Sequence, residues 1–216
     1  MSPIITILIV LSQIVLIVLY RLFFFHHSID KEGSFSSSNH YNIKWFSPTC
    51  EVNLCGHGTL AAALILSQIY HNPNRTITYN TLSGQLQTTL NEDNSSISLS
   101  LPALRCQPID SNEHNALEFT KITLGNSQLS VLHYQYSKEG LKLLIRLSDD
   151  TTREQLEGLT PDTRAMMGIN QNTVKGIIVT VKADQGVDNG CGYDFFSRYF
   201  TPWYGNPEDY VTGIIN

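Results

Sequence analysis

Cys55-Gly56-His57-Gly58-Thr59-Leu60-Ala61-Ala62-Ala63 is the stretch whose reading decides the fold. A β-like run, Tyr41 to Phe46, leads towards it and stops at Ser47-Pro48. A short link follows, then two glycines flank a histidine and an alanine-rich helix begins. Glycine lets a backbone approach a ligand closely. A helix start presents N–H groups and a partial positive charge, and so favours a carboxylate or a phosphate. A cysteine and a histidine at that point can also move protons. The same pattern is equally met by a tight strand-to-helix turn with a structural histidine. A second stretch bears on the choice. Arg198-Tyr199-Phe200-Thr201-Pro202 repeats the chemistry of Lys44-Trp45-Phe46-Ser47-Pro48: basic, aromatic, Phe, hydroxyl, Pro. Cys55 follows Pro48 at the spacing at which Asp209 follows Pro202. This implies an internal duplication in which Cys55/His57 and Asp209 face one substrate carbon from two sides.

Trp45-Phe46-Ser47-Pro48, Glu51-Val52, Leu54-Cys55-Gly56-His57 with Thr59-Leu60-Ala61, and Glu208-Asp209 with Val211-Thr212-Gly213 resemble the phenazine-biosynthesis PhzF-like family. Its relatives are the isomerases of the diaminopimelate epimerase fold. Weaker similarity fills the interval from Tyr41 to Gly213, including Thr81-Leu82-Ser83-Gly84-Gln85-Leu86. The resemblance implies an α+β protein of two similar domains, each a curved β-sheet or barrel around a central helix. It also implies a cofactor-free isomerase acting by acid–base proton transfer on a small carboxylate-containing substrate. By motif, His57 would contact and help protonate the substrate, and Asp209 would assist proton transfer. Gly56 and Gly213 would offer backbone N–H groups to a substrate carboxylate. Cys55 sits where related epimerases place a catalytic thiol, and is assigned here to substrate binding. Glu32, in Glu32-Gly33-Ser34-Phe35, is similar to the family's Ser-Glu-Thr-x-Phe element, whose glutamate carries a proton; the other reading is a solvated loop carboxylate. A homodimer is implied by resemblance alone.

Three departures support an alternative. A hydrophobic segment stands where the family opens with a strand. The glutamate is missing or shifted to Glu32. After Thr212-Gly213 the family continues into a long helix, whereas here Ile214-Ile215-Asn216 follows, so the second domain is expected to lack its helix. Tyr210 also stands in place of the usual proline. The alternative is a catalytically inactive remnant, membrane-anchored if the amino-terminal hydrophobic segment is genuine, that binds a small acid or a protein partner.

Composition bounds the rest. The chain has 216 residues, 15% charged and 42% apolar, which is ample for a buried core. A net charge of -5 leaves no basic stripe for phosphates and argues against nucleic-acid binding. Cys50, Cys55, Cys106 and Cys191 form no C-x-x-C pair, so neither a zinc ribbon nor a dense disulfide framework is expected. His26, His27, His40, His71, His114 and His133 lack partners at metal-ligand spacing and read as surface or structural, so no metal is expected. Ile4 to Phe25 is almost wholly apolar and nearly long enough to span a bilayer, which takes about 20 residues. An uncleaved anchor and a misplaced gene start are its two readings, giving a membrane-anchored or a cytoplasmic protein.

The expected divisions are 1–27 hydrophobic segment, 28–40 polar linker, 41–107 first half and 116–216 second half, with 108–115 as the boundary. Within them, Leu60, Leu64 and Ile65 would form the buried face of the helix, which ends near Pro73. Thr76 to Asn80 and Gln85 to Leu90 would pair about a turn at Gly84. Ile97, Leu99 and Leu101 alternate with serines as a half-buried strand. Leu129 to Tyr136, Leu141 to Leu147, Gly176 to Val181 and Phe195 to Phe200 read as strands; Asp149-Asp150-Thr151-Thr152 would cap a helix carrying Leu156, and Thr160-Pro161-Asp162 would start another through Met167.

Overall fold

The computed structural model describes the backbone of residues 4–7, and residues 34–92, 96–169, 172–183 and 193–211. They form two units. The first runs to Ala103 and includes Val211; the second is Leu104–Tyr210.

In the first unit, β1 (Ile4–Ile7), α1 (Ser34–Ser37), β2 (His40–Phe46), β3 (Glu51–Val52), α2 (Gly56–Gln68), β4 (Thr76–Thr81), β5 (Gly84–Leu90) and β6 (Ile97–Ser100) follow in order. The sheet runs β1-β2-β4-β5-β6, with β3 also paired to β2. β2 is parallel to β1 and β4; the β4–β5 and β5–β6 pairs are antiparallel. Alternation decides which side is inside, because successive strand side chains point to opposite faces. Tyr41, Ile43 and Trp45 of β2, Ile77 and Tyr79 of β4 and Leu86 of β5 form the core with Ala62 and Leu66 of α2. The β4–β5 hairpin turns at Gly84, whose φ of 96° suits glycine. Thr81 Oγ1 donates to the Gly84 carbonyl across that turn.

Three expectations change here. The buried residues of α2 include Ala62, Ala63 and Leu66, while Leu64 is 46% exposed and Leu60 and Ile65 are half-buried. The alanines let the helix approach the sheet closely, and the larger residues fall to its flanks. Residues 34–38, which composition assigns to a linker, are a clamped cap. Tyr41 Oη donates to the Ser38 carbonyl (2.8 Å). The Asn72 side chain donates to the Phe35 and Ser38 carbonyls (2.7 and 2.8 Å), and Phe35 lies against Tyr41 and Tyr70. The apolar amino-terminal segment begins with a sheet strand, β1, and its remainder lies outside the described residues. Among the described residues no helix is long and apolar enough to cross a membrane.

The second unit contains β7 (Gln107–Ile109), α3 (Ala116–Leu124), β8 (Val131–Ser137), β9 (Lys142–Leu147), α4 (Arg153–Glu157), α5 (Thr163–Gly168), β10 (Gly176–Lys182), β11 (Phe195–Thr201) and β12 (Asn206–Glu208). Its sheet order is β12-β11-β10-β9-β8-β7; only β9 and β10 run parallel. Leu143, Ile145 and Leu147, with Ile177, Val179, Val181 and Phe200, pack with Phe119, Leu156 and Met166 of the helices. Thr152 closes a capping box with Gln155 at α4, and the Asp162 carboxylate accepts from the Arg164 and Ala165 N–H groups at α5. The division at Ala103/Leu104 lies upstream of the 108–115 segment expected from composition, because Gln107–Ile109 pair with β8 and so belong to the second sheet. Helix α3 was not foreseen. Its signal is the apolar spacing Ala116, Phe119 and Leu124 followed by Gly125.

Candidate functional site

Cys55 is the residue that precedes α2, in extended backbone geometry (φ -142°, ψ 102°). That geometry follows from β3 running antiparallel to the end of β2 and delivering the chain into the helix. The thiol is buried, and Sγ lies 3.4 Å from His57 Nε2. The Cys55 side chain makes no capping hydrogen bond at this helix start; the Thr59 hydroxyl donates back to the Cys55 carbonyl (2.7 Å). The positive end of the helix dipole thus lies beside a thiol and an imidazole. Gly56 opens the helix, and a Cβ there would meet Leu99 and Leu101 at 3.7 and 3.8 Å, ordinary contact distances. Packing therefore does not demand the glycine, which fits a position where the backbone is used for approach. Gly58 and Thr59 are buried beneath this turn.

Asp209 belongs to the second unit. It leaves β12 half-buried, and its N–H donates to the Tyr199 carbonyl (2.9 Å). Cys55, Gly56 and His57 lie in the first unit, and Asp209 follows the last strand of the second. Glu32 and Gly213 lie outside the described residues.

Strand register corrects one inference drawn from spacing. Phe46 pairs with Glu51 in the first turn, and Phe200 pairs with Glu208 in the second. The equivalent of Glu51 is therefore Glu208, so Asp209 corresponds to Val52 rather than to Cys55. The equal spacing from each proline is produced differently: the second turn contains the 3-10 turn Pro202–Tyr204, and Asp209 then follows its glutamate at once. The signal was available in Glu51-Val52-Asn53-Leu54-Cys55-Gly56 set against Glu208-Asp209-Tyr210-Val211-Thr212-Gly213.

The charges beside these turns were also missed. Arg198 binds Glu208 through Nε and Nη2, both at 2.7 Å, and its Nη1 donates to the carbonyls of Leu156, Glu157 and Leu159. The hydrogen bonds to Glu208 hold the guanidinium still more firmly protonated. Lys142, which opens β9, is buried, and burial lowers its pKa from an ordinary 10.5 to about 8 against the opposing pull of Asp209 and Cys106. Among the described residues no group of His, Cys, Asp and Glu is arranged to hold a metal ion.

Comparison with known proteins agrees with this architecture. Residues 23–215 match the family model described as phenazine biosynthesis-like protein, PhzC-PhzF. The phenazine biosynthesis-like domain-containing protein of Rattus norvegicus is 42% identical over 190 residues, covering 88% of this chain and 64% of that protein. An uncharacterized isomerase of Pseudomonas aeruginosa is 33% identical over 173 residues, covering 80% of this chain and 57% of the relative. The crystal structure of a PhzF-family phenazine biosynthesis protein from Enterococcus faecalis superposes with a TM-score of 0.62 at 28% identity, covering 82% of this chain and 58% of that one. The chain thus spans less than two thirds of the length of the relatives it matches. With an α+β fold of that type and its motifs in place, the chain belongs to the phenazine biosynthesis-like, PhzC-PhzF, family.

Proposed function

We propose that this protein is a cofactor-independent isomerase that moves a proton on a small carboxylate-bearing substrate. The observation that carries the reading is the Cys55–His57 pair at the start of α2. A substrate carboxylate would accept from the first-turn N–H groups, Gly56 among them, with the helix dipole adding to the attraction. His57 would deliver or remove the proton at carbon, and Asp209 would assist from the second unit. Cys55 would hold the imidazole through Sγ and line the substrate pocket. The isomerase name carried by the Pseudomonas aeruginosa relative points the same way.

The test is deuterium incorporation. A panel of small hydroxy-, amino- and unsaturated carboxylates is incubated with the protein in heavy water and read by NMR for exchange at carbon. Exchange of at least one compound is expected. It should fall roughly 100-fold or more in His57→Gln and in Asp209→Asn, the usual worth of a positioned proton carrier. Exchange indifferent to both substitutions would overturn the reading. Tight binding of a panel member without exchange would favour the non-catalytic small-acid binder instead.

A further inference from the structure

Lys142 is the least expected charge in the second unit. It pairs with Gly176 of β10 and Ser137 of β8, and only 7% of it is exposed. Its Nζ sits 4.6 Å from the centroid of the Tyr199 ring, within cation–π range. Gly176 makes room for that seat: a Cβ there would fall 2.6 Å from the Tyr199 ring. The same tyrosine accepts the Asp209 N–H at its carbonyl. One residue therefore carries the lysine on its ring and the aspartate on its backbone.

We propose that Lys142 is a positioning residue for Asp209, supplying a buried counter-charge across Tyr199 whose protonation is linked to the charge on Asp209. The groups facing the amine are Asp209 beyond β12, Cys106 ahead of β7 and Tyr199 on β11. Burial lifts the Cys106 thiol above its ordinary 9.0. Burial first, then Tyr204 and Asp209, lifts the Tyr199 hydroxyl far above the usual tyrosine range. Lys142 is then the first of the three to lose a proton as pH rises, near 8. Below that pH the ammonium balances Asp209 and favours a carboxylate ligand nearby; above it that attraction is lost. The catalytic meaning rests on the function proposed above, but the linkage itself does not.

The test therefore reads the lysine directly. The full chain is labelled with 13C at lysine Cε and titrated by NMR, with the Lys142 signal assigned by its loss in Lys142→Arg. The expected midpoint is near 8, moving lower in Asp209→Asn because the carboxylate favours the ammonium. A midpoint near 10.5, or one that Asp209→Asn leaves unmoved, would overturn the proposal; Asp209→Ser removes the same charge should the amide not fold. In the heavy-water exchange reaction, Lys142→Arg keeps its charge at every working pH, so the fall in rate above about pH 8 should disappear. A fall that persists in Lys142→Arg also counts against the proposal. Loss of exchange in all forms with an intact lysine titration would sink the isomerase reading and leave the linkage standing.

Discussion

The turns at Lys44–Cys55 and Arg198–Asp209 are two uses of one device. In both, a phenylalanine near the end of a long strand pairs with a glutamate on a short antiparallel return strand. In both, the basic residue two places before that phenylalanine reaches the glutamate. The first pair, Lys44–Glu51, is 3.3 Å long with side chains 46% and 26% exposed. Its Glu51 Oε1 is buried with no hydrogen-bond partner. The second, Arg198–Glu208, is 2.7 Å long at 18% and 10%, and both carboxylate oxygens are used. The planar guanidinium explains the difference. It forks onto the carboxylate and still has Nη1 for the carbonyls at the end of α4, which an ammonium on a single stem cannot match. A shared register thus carries a half-exposed ion pair in one unit and a buried structural node in the other.

The comparison breaks first at Arg198. Arg198→Met should cost about 3–5 kcal/mol, since it strands Glu208 and three carbonyls; urea unfolding measures it. If Lys44→Met costs as much, the two turns are not differently built.

Next is Lys142. Its folded pKa of about 8 lies below the 10.5 of an unfolded lysine, so the unfolded chain binds more protons between those values. The burial penalty is complete below pH 8 and vanishes as pH rises towards 10.5. Lys142→Met should therefore stabilise the protein by up to about 3 kcal/mol at neutral pH. The advantage should shrink steadily above pH 8, as paired unfolding curves at several pH values will show.

Gly176→Ala tests the Tyr199 seat. The added methyl meets the ring at 2.6 Å, so a loss of about 1–3 kcal/mol is expected, with the Lys142 titration disturbed alongside. The matching change in the first turn, Lys44→Met, should cost less than about 1 kcal/mol and lose its effect in high salt.

Much of this was legible in the chain. The β4–β5 hairpin about Gly84, the alternation of β6, the buried run Gly176 to Val181, the helix starts within 149–152 and 160–162 and the helix after Cys55 are local signals, and the structure has them in place. Ser34–Ser38 was misread because its serines look solvated. What orders it is Asn72, more than thirty residues away, donating into its carbonyls. Helix α3 follows directly on a polar stretch whose composition masks its start.

Residue order alone determined the strand periods, the glycine-flanked start of α2 and the paired motifs that mark the family. These depend on side-chain type at short spacing. The residues allow two alignments of the turns, and only the tertiary structure decided between them, pairing Glu51 with Glu208 in role rather than Cys55 with Asp209; it alone also shows that Lys142 is buried under an aromatic ring. Pairing between strands depends on how much chain each turn absorbs, and the extra turn at Pro202–Tyr204 leaves no mark in a count of residues from proline to aspartate. Burial of a charge is likewise set by neighbours distant in sequence, here a glycine on β10 and a tyrosine on β11.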